Sequence, residues 1–311
     1  MILDGKLVAN RLKAELRQKL FEHADDKPSL SIYQVGDNPA SSVYIRNKQK
    51  ACDEVGIRSD VIKLPADSFT RDIALATYLE KNPSDGVMLQ LPLPEGWNAD
   101  YFTSRIPAEK DADWLSHQKL GEFFADNDPT FGPCTAQGII DLLDYYEIPI
   151  RGKHAVVIGR SNIVGKPIAH WLTTRHATVT VCHSKTENLS SYTREADILI
   201  VAIGKPKFIT SDMIKPGATI VDVGINRLED NTLCGDVDFE NVKDIAGAIT
   251  PVPGGVGPMT VYELLANTVK LHAKAKGYNY EYWKIHWRYE KDSTLRILWA
   301  FLLWSFQDAL Q

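Results

Sequence analysis

With 311 residues the chain exceeds a single compact unit of roughly 150, so it is read as two domains, each long enough to bury its own core. Its 44% hydrophobic and 24% charged content excludes a disordered or fibrous class, and a net charge of -5 gives no reason to expect a nucleic-acid partner. Cys52, Cys134, Cys182 and Cys234 are scattered with no C-x-x-C pair, so neither a metal site nor a disulfide framework is expected, and reduced thiols suit a cytoplasmic protein. The opening residues Met1 to Lys6 lack the basic-then-apolar layout of a secretory signal.

Leu7, Val8, Leu12, Leu16 and Leu20 recur at helical spacing after Asp4 and predict an amphipathic helix. Leu30 to Val35 reads as a buried strand, and Asn38 before Pro39 as the cap and first position of a second helix running to about Gly56. A strand over Asp60 to Leu64, a helix over Thr70 to Glu80 and the apolar run Gly86 to Leu91 follow. Alternation restarts with strands at His154 to Gly159, Thr178 to Cys182, Asp197 to Gly204 and Thr219 to Val223, which predicts a second parallel sheet. Thr135 to Tyr146 and Thr260 to Lys276 are the helices expected to cross between the lobes, making the first lobe discontinuous. The predicted fold is α/β with two lobes and a cleft between them. Residues 1–137 with 271–311 form one lobe, and 138–270 form a Rossmann-like lobe with a parallel sheet.

His154 to Gly159 is a strand ending in glycine, and Arg160 to Pro167 opens the next helix, where a parallel sheet receives a pyrophosphate. The glycines do not follow G-x-G-x-x-G, and a strand, a glycine turn and a helix also make up any α/β crossover. The second strand decides the matter further. It ends in Cys182-His183-Ser184-Lys185-Thr186 with no acid to hold a ribose hydroxyl, while Arg160 stands in the preceding loop. A 2′-phosphate would meet cations and hydroxyls there, so NADP is favoured over NAD. The plain alternative is that Arg160 and Lys185 are solvated loop charges.

In the second helix Tyr44 and Lys48 share a face with Ala51 and Val55. A lysine among apolar neighbours loses solvation and its pKa falls, which suits proton transfer near neutral pH. From the helix alone the commoner case is a lysine whose stem lies on the apolar face while its head reaches water. Gln90 shifts the balance, because it interrupts the apolar strand near its C-terminal end, where open sheets bind ligands and where an amide needs partners. Lys110-Asp111-Ala112-Asp113 adds carboxylates that can fix an ammonium or a ligand amide, or can be a solvated charge run. Thr250-Pro251-Val252-Pro253-Gly254-Gly255-Val256-Gly257-Pro258-Met259-Thr260 packs prolines and glycines before a helix, shaping a loop whose backbone can approach a flat ring.

Val35-Gly36-Asp37-Asn38-Pro39-Ala40-Ser41 followed by Tyr44 and Lys48, then Gln90-Leu91-Pro92-Leu93-Pro94, Gly159-Arg160-Ser161 and Pro251 through Thr260, stand in one order. Over nearly all of residues 1 to 277 the chain resembles the bifunctional methylenetetrahydrofolate dehydrogenase/methenyltetrahydrofolate cyclohydrolase family. The resemblance implies a homodimer of two-lobed subunits with a tetrahydrofolate derivative in the cleft and NADP as cofactor. It would make Tyr44 the ring that stacks on the folate, Lys48 the catalytic lysine tuned by Gln90, and Asp113 the pterin ligand. Leu91, Pro92, Pro253, Gly254 and Gly255 would line the substrate site. Arg160, Ser161 and Ser184 would hold the 2′-phosphate, with Gly159, Gly165, Thr186 and Ile225 completing the cofactor set. The alternatives are a dehydrogenase only, or a nucleotide-binding homologue with impaired catalysis, against which Lys48 speaks.

Two positions depart from the family pattern. Trp114 stands where glycine is usual, so an indole either crowds the pterin pocket or packs beside it; Ala136 replaces a usual proline and is the better helix former. Beyond the family's usual end, the segment 278–311 carries Trp283, Trp287, Trp299 and Trp304, too apolar for a disordered tail. Its run Leu295 to Phe306 falls short of the ~20 residues of a membrane span, so an added helix packed on the first lobe or at a subunit interface is expected.

Overall fold

The structure is a computed structural model, which describes residues 1–21, 26–66, 71–126 and 131–278. Helix α1, Gly5–Phe21, buries Val8, Ala9, Leu12, Leu16 and Leu20, the stripe read from the sequence. Each large aliphatic side chain withdrawn from water in this way stabilises the fold by ~2 kcal/mol. Strand β1, Ser29–Val35, leads into α2, Pro39–Val55. The side chain of Asn38 accepts a hydrogen bond from the Ser41 N–H at 3.2 Å, so the predicted cap is formed. Strand β2, Arg58–Leu64, helix α3, Arg71–Lys81, and strand β3, Gly86–Leu89, complete a parallel sheet of order β2-β1-β3.

Two short helices that periodicity does not forecast follow, α4 at Ala99–Thr103 and α5 at His117–Ala125, capped by the side chains of Asn98 and Ser116. Between them residues 110–112 run alongside β3. Val87 donates to the Lys110 carbonyl at 2.7 Å and accepts from the Ala112 N–H at 3.1 Å. That bridge brings the acidic segment against the strand that leads to Gln90.

Helix α6, Cys134–Tyr145, crosses to the second lobe. There β4, His154–Ile158, is followed by α7, Gly165–Thr174, then β5, Thr178–Cys182, α8, Leu189–Thr193, and β6, Ile198–Val201. Strand β7, Thr219–Asp222, precedes a small antiparallel ribbon of β8, Asn226–Arg227, and β9, Leu233–Cys234. The lobe closes with α9, Phe239–Val242, and β10, Ala248–Ile249. Its sheet is wholly parallel, in the order β10-β7-β6-β4-β5. The first strand has the second on one side and the third on the other, so the topological switch point lies between β4 and β6, where such sheets bind ligands.

Helix α10, Val256–Lys276, returns to the first lobe. It begins four residues ahead of the predicted Thr260, because Gly257 and Pro258 fall in the first turn, where a missing N–H loses no intrahelical bond. Helices α6 and α10 pack on one another, and the largest apolar cluster runs through both lobes, from Leu12 and Leu16 through Ile139, Leu143 and Leu265 to Ile168 and Trp171. The expected tail helix lies, from residue 279 on, outside the described residues. Among the described residues no helix is long and apolar enough to cross a membrane.

Candidate active site

Lys48 is 8% exposed, on the side of α2 turned into the first lobe. Its Nζ donates to Gln90 Oε1 at 3.0 Å and lies 3.4 Å from Met88 Sδ, so the head does not reach water. Burial pulls the ammonium's pKa below its usual value, and the nearby Asp113 charge opposes that only in part. Gln90 is itself fixed, its Nε2 donating to the Leu91 carbonyl at 2.7 Å, which leaves its oxygen aimed at the lysine. Leu91 and Asp113 are half-buried and Pro92 is exposed. Cys134, the first residue of α6, lies against this cluster with Sγ 3.3 Å from the Ala112 carbonyl; burial and the Asp113 charge hold its thiol protonated. Tyr44, one turn before Lys48, is half-buried, and burial raises its phenol's pKa.

Tyr44 also walls a cavity of about 660 Å³ whose far side is made of Gly224, Ile225, Pro253, Gly254 and Gly255 from the second lobe. Lys48 is not among the residues that line it. The glycine-proline loop is held down on α1, where the Lys6 N–H donates to the Gly254 carbonyl at 2.8 Å.

At the switch point Gly159 has φ 128, and a Cβ there would lie 2.5 Å from the Ala202 carbonyl oxygen, so only glycine lets the turn pass this close to the end of β6. Ser161 Oγ accepts from the N–H groups of Val164 at 3.1 Å and Gly165 at 3.4 Å, closing the entry to α7. Arg160, Ser161 and Ser184 are exposed at the same sheet edge, while Thr186 Oγ1 is taken up by the His183 N–H at 2.9 Å. Ile225, expected in the cofactor set, is exposed and lies in the wall of the Tyr44 cavity. The predicted residues therefore fall into three groups: the buried lysine pocket, the Tyr44 cavity and the nucleotide turn.

Comparison with known proteins gives the family of the chain. Residues 3–113 match the family profile "Tetrahydrofolate dehydrogenase/cyclohydrolase, catalytic domain", and residues 133–276 match the NAD(P)-binding domain profile of the same family. The chain belongs to the tetrahydrofolate dehydrogenase/cyclohydrolase family. It is 49% identical over 284 residues to the bifunctional protein FolD of Nitrosospira multiformis, covering 89% of this chain and 98% of that one. To the FolD of Methanoculleus marisnigri it is 51% identical over 272 residues, covering 87% and 95%. The solved structure of the FolD enzyme from Campylobacter jejuni superposes with a TM-score of 0.83 at 44% identity, covering 88% of this chain and 99% of that one. A Trypanosoma brucei FolD, solved with NADP and an inhibitor, gives a TM-score of 0.82 at 34% identity over 89% of this chain and 98% of that one.

Within this tetrahydrofolate dehydrogenase/cyclohydrolase frame, the sequence reading passed over two buried acids, Asp222 and Asp236, and noted a third, Asp111, only as part of an acidic run. Asp111 is fully buried; burial pushes its carboxyl up to about 6 against the pull of Ser116, whose N–H donates to it at 2.6 Å. Asp222 and Asp236, at the ends of β7 and of the β8–β9 ribbon, are 3% and 0% exposed. Asp222 accepts from the N–H groups of Gly224, Asp236 and Val237 at 2.9–3.0 Å, and burial with the neighbouring Asp236 charge pushes it up to about 6. Asp236 accepts from the N–H groups of Ile203, Gly204 and Lys205 and from Asn226 Nδ2 at 2.7–2.9 Å. The pair ties the loop after β6, at the nucleotide turn, to the wall of the Tyr44 cavity. A Cβ on Gly235 would sit 1.8 Å from Asp222 Oδ2 and one on Gly224 2.2 Å from Asp236 Oδ1, so these two glycines are the local trace of the pair.

Trp114, where the family usually has glycine, occupies the left-handed region with φ 62. Its ring lies 4.2 Å from Lys119 Nζ and 6.4 Å from the Phe131 ring, packed beside the acidic segment against the main core.

Proposed function

We propose that this protein oxidises 5,10-methylenetetrahydrofolate to 5,10-methenyltetrahydrofolate with NADP and hydrolyses the methenyl product to 10-formyltetrahydrofolate. The observation that carries the reading is the buried Lys48 ammonium facing Gln90 at 3.0 Å with its pKa lowered, a group poised to move a proton. The glycine turn at 159, the exposed Arg160, Ser161 and Ser184, and the absence of a carboxylate in 182–186 suit a 2′-phosphate, so these residues would hold NADP. Bound there, NADP supplies the hydride acceptor.

The chain's residues do the rest. Tyr44 stacks on the folate's aromatic part, and Asp113 accepts from the pterin's amino and amide groups, placing the methylene carbon over the nicotinamide side of the cleft. Loss of hydride is driven by the substrate's own nitrogen lone pair, so positioning is the protein's main contribution. In the second reaction water adds to the methenyl carbon and neutral Lys48 takes the water's proton; the lysine then gives a proton to the ring nitrogen as its bond to that carbon breaks, and the adduct's hydroxyl proton leaves to solvent as the formyl C=O forms. Gln90 keeps the lysine aimed. We take residues 1–137 with 271–311 as the folate lobe, 138–270 as the nucleotide lobe, and the working unit as a cytoplasmic homodimer.

The experiment mixes purified protein with methylene-tetrahydrofolate and NADP or NAD while absorbance follows reduced cofactor and the methenyl product together. Reduction with NADP, faster than with NAD and without methenyl build-up, is expected. Absence of reduction with either cofactor overturns the reading, and methenyl accumulation reduces it to a dehydrogenase.

A further inference from the structure

We infer that Asp236 is a positioning residue for hydride transfer: its carboxylate sets the loop 203–205 at the nucleotide turn, and its loss disables the dehydrogenase while sparing the cyclohydrolase. The inference rests on the function proposed above and adds a buried residue to its first reaction alone.

Asp236 is fully buried, and its four hydrogen-bond donors are all neutral. Oδ2 accepts from the N–H groups of Ile203 at 2.7 Å and Gly204 at 2.9 Å, and Oδ1 from the Lys205 N–H at 2.8 Å and Asn226 Nδ2 at 2.9 Å. Three consecutive N–H groups thus converge on one anion as a backbone nest, with Gly204 at φ 63 supplying its left-handed residue. A trans peptide holds its C=O opposite its N–H, so the carbonyls of Ala202, Ile203 and Gly204 turn away from Asp236. The Ala202 oxygen faces Gly159, where a Cβ would come within 2.5 Å of it. The carboxylate therefore sets how this loop stands over the glycine turn, at the switch point where such sheets bind ligands. Carbonyl oxygens presented there suit the hydroxyl and carboxamide donors of a nicotinamide cofactor.

The neighbouring bonds show what the side chain adds. Lys207 N–H donates to the Gly235 carbonyl at 3.0 Å and Ile209 N–H to the Asp236 carbonyl at 2.9 Å, backbone bonds that another residue at 236 would keep. Residues 203–205 are held through the carboxylate instead. An amide in its place keeps one acceptor oxygen for two donors and turns an NH2 toward the other two, so 203–205 come loose while 207–209 stay. The Asn226 bond ties the same carboxylate to the residue after Ile225, in the wall of the Tyr44 cavity. Lys48 and Gln90 stand apart from this network in the first lobe, bonded to each other at 3.0 Å. The cyclohydrolase step therefore does not depend on the nest.

The test is Asp236→Asn, with Asn226→Ala as a milder variant that removes one of the four bonds. NADP binding is measured by titration calorimetry, the dehydrogenase by steady-state kinetics, and the cyclohydrolase with methenyl-tetrahydrofolate supplied directly and no NADP present. For Asp236→Asn we expect the NADP Kd to rise about tenfold, as a preorganised site is lost. Dehydrogenase kcat should fall by roughly 10- to 100-fold, the scale of a ~1 Å misplacement, while methenyl hydrolysis stays within about twofold. Asn226→Ala should show the same split on a smaller scale. Parallel loss of both activities would make Asp236 a general support of the fold and overturn the inference, as would native NADP binding and dehydrogenase kinetics in the variant. If Asp236→Asn does not fold, the ratio of the two activities in Asn226→Ala decides. A native protein that neither reduces NADP nor hydrolyses the methenyl compound is a different outcome and speaks against the folate reading itself.

Discussion

Lys48 in the first lobe and Asp222 in the second are both withdrawn from water, at 8% and 3% exposure, yet they meet that loss in opposite ways. Asp222 has three backbone N–H donors fixed around its carboxylate, and its neighbour Asp236 has three more and an amide. Lys48 has one amide oxygen and a thioether, and among the described residues no carboxylate bonds it. Burial makes the charged form costly in both places, but a group whose bonds are satisfied becomes architecture, and one left short of partners becomes available for proton transfer.

The strongest way to break this contrast is Lys48→Met, which keeps the apolar stem and removes the amine. We expect cyclohydrolase turnover to fall by about 10²- to 10⁴-fold, the usual worth of a positioned acid–base group, with NADP binding unchanged. The native pH profile sharpens the point. Since burial lowers the lysine's pKa, cyclohydrolase activity should rise through an ionisation below that of an ordinary lysine, and Lys48→Met should lose that limb. Equal loss of hydrolysis and of cofactor binding would reduce Lys48 to a packing residue.

The next largest effect belongs to Asp222 and is one of stability. Its folded carboxyl is pushed up to about 6 from 3.8, so the protonated form is the one the fold prefers. This contribution is fully present below pH 3.8 and is lost as pH rises through about 6, which across that window amounts to roughly 3 kcal/mol. Asp222→Asn cannot titrate. Denaturant unfolding of both proteins from pH 4 to pH 7 should show the variant gaining on the native protein by roughly 2 kcal/mol over that range, whatever its offset from lost N–H bonds. A constant gap would mean that Asp222 ionises in the folded protein as freely as in water.

The two regions also differ in how far the sequence disclosed them. The lysine pocket was legible because its parts sit on regular elements: Tyr44 and Lys48 at helical spacing on α2, Gln90 just past the end of an apolar strand. Strands β1 and β4 and helices α1 and α6 were readable from their apolar patterns, β5 from its alternation of threonine and valine, and α2 from the Asn38-Pro39 cap. Asp222 and Asp236 were not, since the atoms they hold are chiefly backbone N–H groups of residues 203–205, 224, 236 and 237, and a backbone donor leaves no mark in the choice of side chain. Short elements fixed by such contacts, β8, β9 and β10, escaped with them. Asp111 lay inside a recognised acidic run, but which of its two aspartates would be buried depended on the bridge to β3, a pairing between distant stretches.

The smallest effect tests whether a second buried lysine obeys the same rule. Lys119 is 6% exposed, but unlike Lys48 it has a carboxylate, Glu122 at 3.2 Å, and the face of Trp114 at 4.2 Å, so it should be structural. Trp114→Gly removes the indole and relieves the left-handed backbone at φ 62, a strain of ~1 kcal/mol. Against that stand the lost cation–π contact, ~0.5–1 kcal/mol, and the greater chain entropy of an unfolded glycine, of similar size. The terms nearly cancel, so thermal unfolding should shift by no more than ~1 kcal/mol in either direction. Because the indole packs against Lys119 and Phe131, the KM for methylene-tetrahydrofolate should stay within about twofold of the native value, as for a substitution outside the pocket. A tenfold fall in KM would instead show that the indole reaches over Asp113 and had been narrowing the pterin site.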